Sequence, residues 1–350
     1  ADRTKLKLVD GNVELPPGVK KSLDALHDGG WHLMGVPQSL GGFGAPDALR
    51  WAGSEMFAGA NASVYLYAIG GLMARVVEAV GTPEQAERFA KPMVERNWGA
   101  TMVLTEADAG SDVGAGITKA THVEGDMWHI EGVKRFITSG ENDYYENIIH
   151  LVLARRPDAE PGTKGLSMFI VPKYLVNEDG SLGERNGVYT TNIEKKMGIK
   201  GSSTCAIILE DVKVPVGNVL GEVGKGHLIA FNILNVGRFK LGASTVGGAK
   251  LALGAAVPYT KERHQFDQPL CSFGLIRRKI ADVAAAIYVA ESMVYRTAGL
   301  LDVAIGTLDK TIDATVEEVV PYADPDSRTF LVKAAVGSID GLYPGMFGKL

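Results

Sequence analysis

Met102-Val103-Leu104-Thr105-Glu106-Ala107-Asp108-Ala109-Gly110-Ser111-Asp112-Val113 opens the stretch around which the chain is organised, and Val133-Lys134-Arg135-Phe136-Ile137-Thr138-Ser139-Gly140 closes it. Each half is a short apolar strand that runs into glycine and small polar residues. Such a layout leaves backbone N–H groups and hydroxyls at strand ends, where no sheet partner consumes them. It suits a ligand with a polar edge or a phosphate. Gly and Ser are also ordinary turn formers, so this segment alone more readily describes plain turns at Gly110 and Gly140, with Thr105 and Thr138 as ordinary strand residues.

Outward from this stretch the periodicity changes. Before residue 100 it is helical: a short helix over 20–28 stopped by Gly29-Gly30, a Gly41-Gly42-Phe43-Gly44 loop, a largely helical run over 51–80 and another helix over 83–94. After Ala100 the apolar residues alternate. Strands are expected at 101–104, 117–123, 128–131, 134–137, 148–154, 166–172, 203–209 and 211–214, with a polar excursion over 177–186. Many short strands without long intervening helices imply an antiparallel sandwich or barrel. Helix resumes over 227–257, where five glycines imply close approach of backbone or ligand. Pro258 should kink or restart that helix. A polar connection over 263–272 leads to a strongly amphipathic helix over 275–305. Glu317-Glu318 and Asp324-Pro325-Asp326 break that helix or follow it. The class is α+β, with a helical unit over 1–100, a β middle domain over 101–222 and a helical C-terminal domain over 223–350. No internal repeat is visible.

With 350 residues the chain exceeds the size of one growing core, in keeping with several domains. Its 46% hydrophobic and 22% charged residues describe a soluble globular protein. The net charge of −5, without a basic block, disfavours nucleic acid as a partner. Cys205 and Cys271 are too few for a disulfide scaffold and fit a reducing, cytoplasmic compartment. No apolar run has transmembrane length.

Gly221-x-x-Gly224-x-Gly226 follows antiparallel strands rather than a βαβ unit, which argues against a dinucleotide loop. The seven histidines are scattered and no H-E-x-x-H or paired C-x-x-C occurs, so no metal is expected. Nothing selects a His and Asp partner for Ser39 or Ser139.

Taken together, several segments resemble the acyl-CoA dehydrogenase family, in particular its longer bacterial members. They are Gly30-Trp31 through Pro37, Gly41-Gly42-Phe43-Gly44, Leu104 through Asp112, Phe136-Ile137-Thr138-Ser139-Gly140, Lys196-Met197-Gly198-Ile199-Lys200-Gly201-Ser202 and Glu262-Arg263-His264-Gln265-Phe266, in the family's order over about residues 20–300. The resemblance implies a helical, β, helical three-domain fold with FAD between the β domain and the C-terminal helices, in a homodimer or homotetramer. It implies that Met102, Leu104 and Thr105 meet the flavin, with Thr105 at its pyrimidine edge. Gly110 and Ser111 would border the pyrophosphate and the thioester end of acyl-CoA. Phe136 stands where many members have Trp, and Thr138 where a hydroxyl lies near the reactive flavin nitrogen. Arg263 and Phe266 match residues that reach the FAD of a neighbouring subunit. Asn235 and Arg238 match the helix beside bound CoA.

The reaction so implied is α,β-dehydrogenation of an acyl-CoA to the trans-2-enoyl-CoA, with electrons passed to an electron-transferring flavoprotein. One element departs from the pattern. The family's C-terminal glutamate segment is absent, and Gly237 occupies the alternative position before Arg238. Glu291, Glu317 and Glu318 are the carboxylates left to consider. The chain is therefore expected to be truncated, incompletely represented or a divergent subunit. The competing reading is an inactive cofactor-binding subunit. Nitroalkane oxidase or flavin-dependent monooxygenase activity would require a different base or oxygen access.

Overall fold

The computed structural model describes residues 3–308, 314–323 and 330–336, with side chains described as far as residue 304. A small hairpin, β1 (Lys7–Val9) and β2 (Asn12–Glu14), precedes α1 (Pro17–Asp28). Val19, Leu23 and Leu26 recur at helical spacing and form the buried face of α1. The run read as one helix over 51–80 is two, α2 (Asp47–Tyr65) and α3 (Gly70–Val80), set at 96°. Asn61 already leaves helical geometry (φ −159°, ψ 88°) inside α2. Then come α4 (Pro83–Gln85), capped by the reciprocal Thr82–Gln85 box, a wide turn over Ala86–Ala90 and α5 (Lys91–Glu95).

The middle section is one eight-stranded sheet. Its strands are β3 (Gly99–Val103), β4 (Lys119–Val123), β5 (Met127–Thr138), β6 (Ile148–Arg155), β7 (Leu166–Pro172), β10 (Val188–Ile193), β11 (Thr204–Pro215) and β12 (Val219–Leu220); β8 (Tyr174–Val176) and β9 (Leu182–Arg185) make a separate hairpin inside the polar excursion. The order is β10-β11-β5-β4-β6-β7-β12, with β3 on β6. Pairing is mostly antiparallel as expected, but β3 runs parallel to β6 from Gly99↔Ile148 to Val103↔Val152. Successive residues of β6 and β7 serve opposite faces. Val152, Ala154, Phe169 and Val171 join Trp128, Ile130, Val212 and Val214 in an internal core. Leu151, Leu153, Met168 and Ile170 instead pack against α3, α5 and the following helix. Trp128 and Phe169 meet across the internal core with ring centroids 5.7 Å apart.

Two expected strand pairs are single long strands. Residues 128–131 and 134–137 both belong to β5, and 203–209 and 211–214 both lie within or beside β11. The local Gly132 and Asp211 turn signals mark bulges instead. Leu209 pairs Gly132 while Val212 pairs Ile130, which leaves an extra residue on β11 beside Asp211 (φ 50°).

Helix α6 (Gly226–Glu262) starts hard against β7: a Cβ on Gly226 would lie 2.3 Å from the Met168 nitrogen. It runs through Pro258 without ending there. The polar connection forms the β13 (His264–Gln265) and β14 (Gln268–Pro269) hairpin, followed by α7 (Gly274–Leu308). Helices α2, α6 and α7 pack through Trp51, Ala243, Val246, Val294 and Ala298. After α7 the chain is extended rather than helical: β15 (Ala314–Ala323) pairs with β16 (Phe330–Val336). No single helix among the described residues is long and apolar enough to cross a membrane.

Candidate functional site

The two halves of the opening stretch come together at neighbouring strand ends. Met102 lies on β3 and Leu104 just beyond it, and the Arg135 N–H donates to the Thr105 carbonyl at 2.8 Å. On β5, Lys134 pairs Ile207 while Ile137 pairs Cys205, so one extra residue is inserted. Phe136 takes φ 60° within this bulge. A bulge re-aims side chains, and the Phe136 ring is left 58% exposed although its strand is internal. Thr138 faces Thr204 at the end of β5. Gly110 and Ser111 lie exposed on the loop that continues from Thr105. Leu104 is buried beneath this shelf. Among the described residues no side chain or backbone group partners the Thr105 hydroxyl or N–H, so both remain as donors at the shelf.

A buried ion pair that the sequence reading passed over holds the shelf. Lys134 Nζ donates to Glu106 Oε1 at 2.9 Å and to the Leu104 and Leu153 carbonyls at 3.0 and 2.8 Å. Three acceptors satisfy an ammonium group. Glu106 in turn accepts from the Ile117 and Thr118 N–H groups at 2.7 and 3.1 Å. Burial opposes the charge on Glu106, but Lys134 and these donors prevail and hold its carboxyl below the usual range. The ladder position of Lys134 inside an apolar strand was the available signal, because an unpaired lysine is not tolerated there.

The other half is fixed by Ser139, whose φ of 55° turns the chain and whose Oγ donates to the Leu66 carbonyl at 3.0 Å. Next to it, the buried Glu141 accepts from Lys173 at 2.5 Å and from Arg185 at 2.9 Å. The strand ends thus stand on two satisfied buried networks and are rigidly presented.

The remaining expected site residues lie elsewhere. Asn235 and Arg238 share an exposed face of α6, where Arg238 Nη1 donates to Asn235 Oδ1 at 2.7 Å. Arg263 and Phe266 sit at the far end of α6, both exposed, with Phe266 at φ 52°. A helix of 37 residues is about 55 Å long, so these two cannot meet Thr105 within one chain. Glu291 is committed to Lys250, which also binds Glu55 at 2.6 Å. Glu317 and Glu318 lie on β15, and their side chains fall outside the described residues. Glu262 is the one carboxylate on α6, a full helix length from the β domain.

Comparison with known proteins agrees with this fold. The family model for the acyl-CoA dehydrogenase middle domain matches residues 101–212, and that for the C-terminal domain matches 224–315. The chain is 46% identical to a broad-specificity linear acyl-CoA dehydrogenase of Mycobacterium tuberculosis over 257 residues, 73% of this chain and 42% of that protein. It is 37% identical to a caffeyl-CoA reductase-Etf complex subunit of Acetobacterium woodii, over 84% of this chain and 73% of that one. The crystal structure of an acyl-CoA dehydrogenase complexed with FAD from Bacillus anthracis superposes with a TM-score of 0.71 at 36% identity, over 83% of this chain and 47% of the other. The chain thus spans less than half the length of the Mycobacterium and Bacillus proteins. The two family models together match residues 101–212 and 224–315, and this chain belongs to the acyl-CoA dehydrogenase family.

Proposed function

We propose that the shelf formed by residues 102–111 and 136–138 binds FAD, and that the protein acts in α,β-dehydrogenation of an acyl-CoA to the trans-2-enoyl-CoA in fatty-acid breakdown. The supporting observation is the Thr105 hydroxyl and N–H, both without a protein partner, held by Lys134 beside an exposed Phe136. Donors fixed in advance stabilise charge that develops on a bound group without reorganisation. When bound, FAD supplies the acceptor for the hydride leaving the β carbon.

On this reading Met102 and Leu104 form the apolar floor and Thr105 binds the cofactor's polar edge. Phe136 packs on its plane and Thr138 donates at its far edge. Gly110 and Ser111 let the backbone approach the pyrophosphate and the thioester end. Asn235 and Arg238 bind the CoA moiety, the guanidinium fork matching its phosphates. Arg263 and Phe266 serve the cofactor of a neighbouring subunit, which requires a homodimer or homotetramer. Electrons leave to an electron-transferring flavoprotein, the partner type named for the Acetobacterium relative. The cytoplasm suits such an exchange. The carboxylate that takes the α proton is not among the described residues of α6 on the Asn235 and Arg238 face.

Among the described residues Glu291 is engaged by Lys250, and a second reading is a cofactor-binding subunit that completes another chain's site. Anaerobic mixing of the FAD-loaded chain with a panel of acyl-CoAs separates the two. Bleaching of the flavin band supports dehydrogenation by this chain. Retention of FAD without bleaching supports the subunit reading, and failure to retain FAD overturns both.

A further inference from the structure

On a regular strand, neighbouring side chains point to opposite faces of the sheet. Arg135 and Phe136 depart from this. Lys134 pairs Ile207 while Ile137 pairs Cys205, so β5 carries one extra residue between them, and Phe136 takes φ 60° there. The two neighbours thereby meet on one side: the Arg135 guanidinium carbon lies 5.3 Å from the centre of the Phe136 ring. At that range the negative face of the ring attracts the cation. The Phe136 ring still stays largely open to its surroundings.

Arg135 is held from the other direction by Glu194. Its Nε and Nη2 donate to the same oxygen, Glu194 Oε1, at 3.0 and 2.7 Å. Glu194 stands just beyond β10, where its N–H donates to the Thr204 carbonyl at 2.8 Å. Thr204 is the residue that faces Thr138 on β5. The Arg135 N–H meanwhile donates to the Thr105 carbonyl at 2.8 Å. One residue thus ties Thr105 through its backbone, Phe136 through its side chain and, by way of Glu194, the end of β5 opposite Thr204. The Arg135 side chain is 36% exposed, and a pair this open adds little to stability. The buried Lys134 beside it already anchors the strand. What the pair does supply is a fixed positive charge against the aromatic residue of the shelf, with a carboxylate behind it.

We propose that Arg135 and Glu194 tune the reduction potential of a flavin held on this shelf. The inference rests on the reading of the shelf as the FAD site. Uptake of a hydride, two electrons and one proton, leaves the flavin one unit more negative. A cation fixed in advance favours that form, and a carboxylate beside the cation partly cancels it. Arg135 therefore raises the potential and Glu194 lowers it. Neither side chain exchanges a proton with the substrate. Arg135 is a positioning residue, acting through its charge and through its hold on Phe136.

Anaerobic equilibration of the FAD-loaded chain with a reference dye, without acyl-CoA, tests this. Solvent screens a partly exposed charge, so each change should be about threefold in the ratio of reduced to oxidised flavin. Arg135→Gln should lower that ratio at a fixed dye potential. Glu194→Gln, which keeps an acceptor for Arg135, should raise it. Arg135→Lys retains the charge and should stay closer to the unmodified protein than Arg135→Gln does. A purely structural role would not move the two neutralising variants in opposite directions. Shifts of the same sign, or no shift in either, overturn the proposal. Equal loss in Arg135→Lys and Arg135→Gln also overturns it and leaves the arginine with only a steric hold on Phe136. If Arg135→Gln does not fold, as judged by thermal melting, the sign of the Glu194→Gln shift decides. Failure of the unmodified chain to retain FAD is a separate result, which overturns the cofactor reading of the shelf and this proposal with it.

Discussion

Replacing Lys134 by Met tests whether the strand-end shelf is held by its buried ion pair. The two side chains are only 1% and 7% exposed, so solvent does not screen them. Met fills most of the lysine stem but leaves Glu106 and the Leu104 and Leu153 carbonyls without their shared donor. Removing one member of a buried pair costs about 3–5 kcal/mol, mostly because the other charge stays behind. The fitting observable is local. Ile117 and Thr118 donate their N–H groups to Glu106, so their hydrogen exchange reports the opening of this corner. A loss of that size should accelerate their exchange about a hundredfold or more, since each 1.4 kcal/mol is tenfold. The pH dependence has a definite sign. In the native protein the Glu106 carboxyl is lowered from 4.5. Its stabilisation is therefore fully present above pH 4.5 and is lost as pH falls through the folded value. In the variant, burial without the lysine raises the same carboxyl, so the deficit is largest near neutrality and narrows toward pH 4.5. Exchange at Ile117 and Thr118 that is unchanged by Lys134→Met at pH 7 would refute this account of the shelf.

Three further outcomes follow from the geometry. Thr105→Ala removes an unpartnered hydroxyl rather than a fold contact, so it should shift the bound flavin spectrum or weaken FAD retention with little change in melting temperature; an unaltered spectrum and affinity would reject the contact. Gly247→Ala should destabilise by about 1–3 kcal/mol, read by thermal unfolding, because the added Cβ would lie 2.0 Å from the Glu55 carbonyl oxygen where α2 packs on α6. Arg263→Ala should weaken FAD retention more than it weakens folding of the single chain, since Arg263 is exposed at the remote end of α6; equal loss of both on dialysis and thermal melts would assign it a structural role instead.

Sequence periodicity alone determined the division into helical, β and helical sections, because burying one face imposes a period of 3.6 or 2 on any soluble chain. Leu104, Thr105 and Thr138 were singled out by the resemblance to the acyl-CoA dehydrogenase family, since by local pattern alone they read as ordinary strand residues beside turns. Bulges were illegible: Gly132 and Asp211 look like turns, and only pairing with the neighbouring strand turns them into inserted residues. The same holds for Phe136, whose outward ring depends on a register shift against β11. The bend between α2 and α3 was hidden because apolar residues continue through it. Ion pairs such as Lys134 with Glu106, 28 residues apart, and Arg135 with Glu194, 59 apart, exist only once distant elements pack. A local pattern fixes which face of an element is buried; which charges meet there is set by the path of the whole chain in space.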